Sequence, residues 1–329
     1  MSELRKDPIS GDWIILAPGR AKRPQQLSRE ESAVRKPAPK HDCPFEDLGK
    51  SGNRPLVVWP SAKRWRIAII PNKYPALAHE HDRAKGIRHG VYETKTGIGD
   101  HELIITRDHS RFFADLKPAE AAKILALFQE RYRAVAKEGC ASYALGFLNY
   151  GPAVGASIWH PHYQFLAIPF IPPHIAHSLE GARSYFKRNG RCARCDVIKQ
   201  ERAERKRIIA ENTHAIAFTP YVSKRPFEVN ILPKKHFAQF ERTPETVIRD
   251  VAGLAQLVLR RMKKYAGDPD LNFFIHSAPL VAGPYPFHHW HMEIFPHMTY
   301  LGGLEFATSV YINPMDPDEA AAILRGESY

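Results

Sequence analysis

The segment His160-Pro161-His162-Tyr163-Gln164 sets three polar side chains at alternate positions inside an apolar stretch running from Ile158 to Pro169. On a strand, residues two apart leave the same face, so His160, His162 and Gln164 are expected to point one way. Burying three such groups without partners costs roughly 1–3 kcal/mol each, and a site explains them better than a core does. Neutral imidazole is a competent nucleophile near pH 7, because its reference pKa is about 6.5. His162 is therefore suited to attack a phosphorus atom and form a phosphoramidate, splitting one displacement into two. Gln164 donates a hydrogen bond but supplies no proton, which suits a leaving group, such as a sugar phosphate, that departs without a general acid. Upstream, Asn149 to Ser157 holds Gly151 and Gly155, and glycine-bearing loops let backbone N–H groups approach phosphate oxygens. Arg20 and Arg23 are candidate bidentate phosphate contacts, although a basic arm is more often merely solvated.

A second chemistry is written in the cysteines and histidines. Cys192 and Cys195 form a Cys-x-x-Cys pair, with His236 and His289 at a distance. A structural zinc takes four such ligands, and the set is expected to hold one. A parallel set, Cys43, Glu46, His109 and His160, offers a second, with a carboxylate in place of one thiolate. Each set has four protein ligands and no vacancy, so both would be structural. Redox thiols or a plain turn are the competing readings of the cysteine pair.

These residues recur in a pattern. A cysteine turn, an apolar strand, a strand leading to a histidine, a long helix and a His-x-His strand appear in each half. His109 and His160 lie 51 residues apart, and His236 and His289 lie 53 apart. Apolar periodicity and flanking signals predict helices over 118–137 and 244–265, each followed by glycine. Charge and propensity predict another over 195–209, and Asp316 is placed to cap a last one over 316–325. A surface loop is expected around 78–99, and the first 30 residues read as an extended arm. The expected fold is α+β: a duplicated unit, 1–178 and 179–329, with two pseudo-repeat antiparallel sheets backed by helices and facing each other.

The bulk composition bounds the partners. The chain has 329 residues, 44% of them apolar, and a formal charge of +12. Such a balance favours an anionic partner. The basic residues are scattered, and the one dense run, 199–207, interleaves glutamates as a solvated helix face does. Nucleic-acid binding is therefore not expected, nor is a membrane span, and the chain reads as cytoplasmic.

The signature Asn149…Gly155-x-Ser157-x-x-His160-Pro161-His162-x-Gln164 resembles the active-site motif of the galactose-1-phosphate uridylyltransferase family, within the histidine-triad superfamily. Arg5 to Trp13, Arg20 to Pro24, Pro71 to Leu77 and His289-Trp290-His291 are similar to that family as well. The resemblance implies a duplicated histidine-triad fold, usually a homodimer. It implies ping-pong transfer of UMP between UDP-glucose and galactose 1-phosphate through nucleotidyl-His162. It places Gln164 against the transferred phosphoryl group, Asn149, Ser157, Arg20 and Arg23 on nucleotide and phosphate, and Glu305 near the hexose. Cys43, His109 and His160 match zinc ligands, while Glu46 stands where the family has a second cysteine. Tyr311 replaces a hexose-binding glutamine. With Cys192-x-x-Cys195, it brings the chain closer to a branch that includes ADP-glucose phosphorylase. Two further alternatives are a nucleotide hydrolase, against which Gln164 argues, and a zinc-bearing nucleic-acid binder. His291 takes the nucleophile's place in the second repeat with Glu293 in the place of Gln164, and that half reads as structural, with metal and sugar contacts.

Overall fold

The computed structural model describes residues 2–22, 39–48, 54–79, 85–281 and 283–327. In chain order the strands and helices begin with β1 (Glu3–Lys6), β2 (Trp13–Leu16), β3 (Val57–Trp59), β4 (Ile67–Pro71), β5 (Gly86–His89), β6 (Tyr92–Lys95) and β7 (Asp100–Thr106). Then follow α1 (Pro118–Glu138), β8 (Tyr143–Tyr150), β9 (His162–Ile168), α2 (Pro173–Asn189) and α3 (Ala193–Glu204). The second half continues with β10 (Ile208–Glu211), β11 (Ala215–Phe218), β12 (Val229–Pro233), α4 (Glu245–Tyr265), β13 (Leu271–His276) and β14 (His291–Pro296). The chain closes with α5 (Gly303–Thr308), β15 (Tyr311–Asn313) and α6 (Pro317–Arg325).

The architecture is α+β and duplicated. Each half contributes five antiparallel strands, and the halves meet edge to edge, not face to face. One ten-stranded sheet results, in the order β10-β11-β12-β14-β13-β8-β9-β7-β4-β3. Reading outward from the β13–β8 seam, every strand of one half has its counterpart at the same step in the other. Besides the edge strands β3 and β10, β8 and β13 are the strands of this sheet that sequence patterning passed over. Their apolar residues run nearly unbroken, as in strands covered on both faces, so no alternation marks them.

Helices α1 and α4 cover one face. From β9, Tyr163, Phe165 and Ala167 enter the same core as Ile124, Phe128 and Tyr132 of α1 and Val251, Val258 and Met262 of α4. Gly146 on β8 makes room for this layer, since a Cβ there would press on the Phe128 ring. Tyr132 closes the seam from above: its hydroxyl donates to the Ile275 carbonyl (3.2 Å) and accepts the Gly146 N–H (3.0 Å). Two glutamines lock the helices crosswise. Gln129 of α1 donates to the carbonyls of Phe240 and Thr243 in the second half (2.7 and 2.9 Å). Gln256 of α4 donates to those of Phe113 and Leu116 in the first (3.0 and 2.8 Å). Both glutamines are buried. Gln129→Leu takes the donor from the buried Thr243 carbonyl and leaves that of Phe240 only the Thr243 N–H (3.1 Å), which should cost about 1–3 kcal/mol. Gln256→Leu, which strips the Phe113 and Leu116 carbonyls, should cost as much. Urea midpoints at constant m-value would measure both losses.

Elsewhere the sequence reading needs correction. Over residues 2–22 the N-terminal segment is not an extended arm: β1 and β2 form a three-stranded sheet with β15, and Ile14, Leu16 and Ala17 are buried. Residues 23–30 of the expected arm lie outside the described residues. The expected helix over 195–209 starts at Ala193 and stops at Glu204, because Arg205 turns left-handed (φ 58°). Nor is the 199–207 run only a solvated face. Arg207 is buried and binds Glu201 (2.9 Å), Glu204 (2.6 Å) and Asp318 (3.0 Å), drawing the chain into β10. The loop expected around 78–99 carries the exposed β5–β6 hairpin. Asp316 does cap α6, accepting the Asp318 N–H at 2.7 Å. No helix among the described residues is long and apolar enough to cross a membrane.

Candidate functional site

His162 opens β9 on the sheet face away from α1 and α4. Phe45 packs against both its ring and that of His160, at centroid distances of 5.7 and 5.6 Å. The His162 Nδ1 lies 2.9 Å from the His160 carbonyl oxygen. A carbonyl only accepts, so Nδ1 carries the proton and Nε2 keeps its lone pair. Nε2 has no hydrogen-bond partner among the described residues. Burial pushes the ring's pKa below its ordinary value, favouring the neutral form. The tautomer and the charge state are thus both those of a nucleophile. A pocket of about 50 Å³ adjoins the ring, bordered by Phe112, Asn149, Gly151, Trp159 and Pro161 among others. Trp159 sits edge-on to Phe112 (5.5 Å), and its indole N–H is buried without a partner among the described residues.

Gln164 is oriented by a residue that sequence reasoning passed over. His101 on β7 accepts the Ala76 N–H at its Nδ1 (3.0 Å), which puts the ring proton on Nε2. That nitrogen lies 3.1 Å from Gln164 Oε1, with the Asn72 amide beside it at 3.1 Å. With Oε1 engaged, the Gln164 amide nitrogen is the end left to donate. His101 alternates with Leu103 on the face that carries His162, and this spacing was the available signal.

Among the other expected contacts, Asn149 lines the pocket and its Oδ1 accepts from Asn272 (2.8 Å). The loop after it differs from expectation. Ala153 N–H donates to the Asp270 carboxylate (2.7 Å), and the N–H groups of Val154, Gly155 and Ala156 bond inside the loop. Asp270 occupies the place where an anion would be cradled, and a Cβ at Gly151 (φ 104°) would collide with it. Ser157 is exposed. Arg20 lies in the turn after β2, its N–H bonded to the Ala17 carbonyl (2.9 Å), and Arg23 falls outside the described residues. Glu305 accepts the Gly302 N–H (2.9 Å) at the start of α5. Neither Arg20 nor Glu305 borders the His162 pocket.

Both expected metal sets assemble. In each, one ligand atom per residue lies within 4.8 Å of the other three. Cys195 Sγ is 3.4 Å from His236 Nδ1 and 3.6 Å from His289 Nδ1. Zinc bonds of about 2.3 Å to sulfur and 2.0 Å to nitrogen place tetrahedral corners about 3.5 Å apart, so the spacing fits. Cys192 is the N-cap of α3, and Cys195 lies in its first turn. A hydrogen bond from Cys195 holds the Cys192 thiol well below its usual range, while Cys195 itself is pushed up. In the first set, Cys43 Sγ is 3.5 Å from His160 Nδ1, and Glu46 Oε1 is 2.8 Å from His109 Nδ1 and 3.4 Å from His160 Nδ1. His160 Nε2 donates to the Thr106 carbonyl (2.6 Å), which leaves Nδ1 to face the cluster. Each set ties a cysteine turn to the end of one strand and the start of another, in the same relation in both halves.

Comparison with known proteins agrees over nearly the whole chain. The model of the galactose-1-phosphate uridyl transferase N-terminal domain matches residues 1–172, and that of its C-terminal domain matches residues 178–300. An ADP-glucose phosphorylase from Arabidopsis thaliana is 32% identical over 98% of this chain and 92% of its own. A galactose-1-phosphate uridylyltransferase from Thermotoga maritima is 26% identical over 99% of this chain and 98% of its own. A crystal structure of an ADP-glucose phosphorylase from Arabidopsis thaliana with bound ADP-glucose superposes with a TM-score of 0.84 at 30% identity, covering all of both chains.

Proposed function

The chain belongs to the galactose-1-phosphate uridyl transferase family, and on that premise we propose that it transfers a nucleoside monophosphate from a nucleoside-diphosphate hexose through a covalent nucleotidyl-His162, with ADP-glucose as the favoured donor. The observation that carries the reading is the His162 ring: Nδ1–H fixed on the His160 carbonyl, Nε2 unbonded beside a pocket.

In this reading Nε2 attacks the α-phosphorus. A P–N bond forms, the pyrophosphate P–O bond breaks, and glucose 1-phosphate leaves with the electron pair. The Nδ1 proton stays in place, so the phosphorylated ring is cationic, and its hydrogen bond to the His160 carbonyl strengthens as charge develops. The acceptor, orthophosphate or a hexose 1-phosphate, then attacks the same phosphorus and frees the imidazole. Gln164, held by His101 at Oε1, donates through its amide to a phosphoryl oxygen. Asn149 contacts the nucleotide. Ser157, Arg20, Arg23 and Glu305 are proposed as phosphate and hexose contacts of an assembled homodimer, since Glu305 and Arg20 do not border the His162 pocket within one chain. The repeat 1–178 carries the nucleophile. Zinc, bound by Cys192, Cys195, His236 and His289 and by Cys43, Glu46, His109 and His160, supplies structural crosslinks only.

The adenylyl reading draws support from the Arabidopsis relative and from Tyr311 and Cys192-x-x-Cys195. Uridylyl transfer between UDP-glucose and galactose 1-phosphate is the second reading, supported by the Thermotoga relative. The two separate in one assay. With orthophosphate present, the protein should release glucose 1-phosphate from ADP-glucose at least about tenfold faster than from UDP-glucose. Faster consumption of UDP-glucose with galactose 1-phosphate selects the second reading, and turnover of neither donor overturns both.

His101 offers a sharper test of how Gln164 works. His101→Phe frees the Gln164 amide to rotate, so turnover should fall about tenfold, the equivalent of one hydrogen bond. KM for the donor should change little, and His101→Asn should recover part of the rate. A loss in KM alone would assign His101 to binding.

A further inference from the structure

The second repeat keeps a cavity of its own on the sheet face that carries Glu293. Glu293 pairs across the sheet with Asn230 and Phe274, as Gln164 pairs with Leu103 and Phe147. It is thus the repeat counterpart of Gln164, and by the same registers Glu228 on the approach to β12 matches His101. The cavity measures about 350 Å³, within the range of small-molecule sites. Helix α2 and the turn formed by residues 7–12 border it. That turn is seated tightly: a Cβ at Gly181 would collide with the Ile9 carbonyl, and His177 Nε2 meets Asp12 Oδ1 at 2.9 Å.

Its wall holds polar atoms that the protein does not satisfy. The Tyr143 hydroxyl, on a residue only 2% exposed, has no hydrogen-bond partner among the described residues; Asn230 Oδ1 and His288 Nε2, on half-buried residues, are buried atoms that also lack one. Buried polar groups are nearly always paired, so three unpaired ones around one cavity point to an occupant that supplies the partners. The lining carries both signs of charge, with Arg207 taken up by Glu201 and Glu204 and His276 Nε2 lying 3.3 Å from Glu293. Lys224 and Arg194 line the cavity together with Glu293 and Glu228. Burial, followed by the charge of Glu293, pushes the Glu228 carboxyl up to about 8. An occupant that both donates and accepts at several points, on a floor that includes Ile175, Val197 and Leu232, is a polyhydroxylated ring.

We propose that this cavity in the second repeat is a binding site for a hexose ring, free or phosphorylated, separate from the His162 pocket and held by the Tyr143 hydroxyl, Asn230, His288 and Glu293. The site stands on its own geometry and does not depend on the transfer reaction proposed for His162.

The test is calorimetric titration of the full-length protein with D-glucose and, separately, D-glucose 6-phosphate. One saturable site per chain is expected, unchanged in His162→Ala and weakened about tenfold in Tyr143→Phe. The hydroxyl has no partner among the described residues, so Tyr143→Phe should leave the melting temperature no lower than in the parent. Asn230→Leu, which fills part of the cavity, should weaken binding as well. Equal affinity for both probes identifies the ring alone as the ligand. Tighter binding of the phosphorylated probe that is lost in Lys224→Met identifies a sugar phosphate. Absence of saturable binding with both probes, or binding that depends on His162 and not on Tyr143, overturns the proposal.

Discussion

His162→Ala is expected to lower nucleotidyl transfer by about 10⁴-fold or more, the scale seen when a covalent nucleophile is removed. The size of the loss follows from the route. Without Nε2 no phosphoramidate forms, and the only remaining path is direct attack of the acceptor on the donor. The fold should survive, because the native ring makes one hydrogen bond, to the His160 carbonyl, and packs against Phe45. Circular dichroism and melting temperature close to the parent's, together with lost turnover, are the expected result. Gln164→Ala should fall short of this, by about 10²–10³-fold, as loss of one aligned donor does. A His162→Ala variant that retains a tenth of the parent rate would mean that the imidazole positions substrate and does not carry the nucleotide.

The second large effect is on stability. Cys192, Cys195, His236 and His289 join the start of α3, the turn after β12 and the approach to β14, segments that lie up to 97 residues apart in the chain. Metal binding at a site that exists only in the folded chain contributes directly to folding free energy, on the order of 10 kcal/mol for structural zinc. Cys192→Ser with Cys195→Ser, or exhaustive chelation, should therefore lower the melting temperature by roughly 10 °C or more. The first set should release its ion earlier. Glu46 gives it a single thiolate, and Glu46→Cys should make it retain zinc against a chelator that strips the parent. Elemental analysis of the purified protein, with and without chelator, measures both. A parent chain that folds with full stability and no bound metal would overturn the structural role of either set.

Residue types and spacing pointed to the candidate groups before they disclosed the layout. The metal sets and the His-x-His strand could be found because chemistry fixes their residue types, and because each recurs at nearly the same interval in the two halves. The glutamines at 129 and 256 lay hidden in helical stripes. Their role depends on carbonyls 111 and 140 residues away, and no local pattern encodes that. The N-terminal sheet escaped for the same reason, since β2 is completed by β15 near the far end of the chain. Helix α3 was drawn too long because its propensity runs past Glu204. The tertiary ion cluster at Arg207 ends it, with Asp318 supplied from α6. The loop at 149–157 shows a limit of another kind. Its glycines suggested an anion cradle, but the N–H groups of Val154, Gly155 and Ala156 bond within the loop, and that of Ala153 meets Asp270, a carboxylate from the other half of the chain.

The central claim, a nucleotide carried on one imidazole, is best tested by weighing the protein. After brief exposure to ADP-glucose or UDP-glucose without acceptor, the denatured chain should gain the mass of one nucleoside monophosphate. That mass separates AMP from UMP. Peptide mapping should place it on the segment containing His162, and His162→Ala should remain unlabelled. Continued turnover with no adduct, or an adduct on any other residue, would contradict the account.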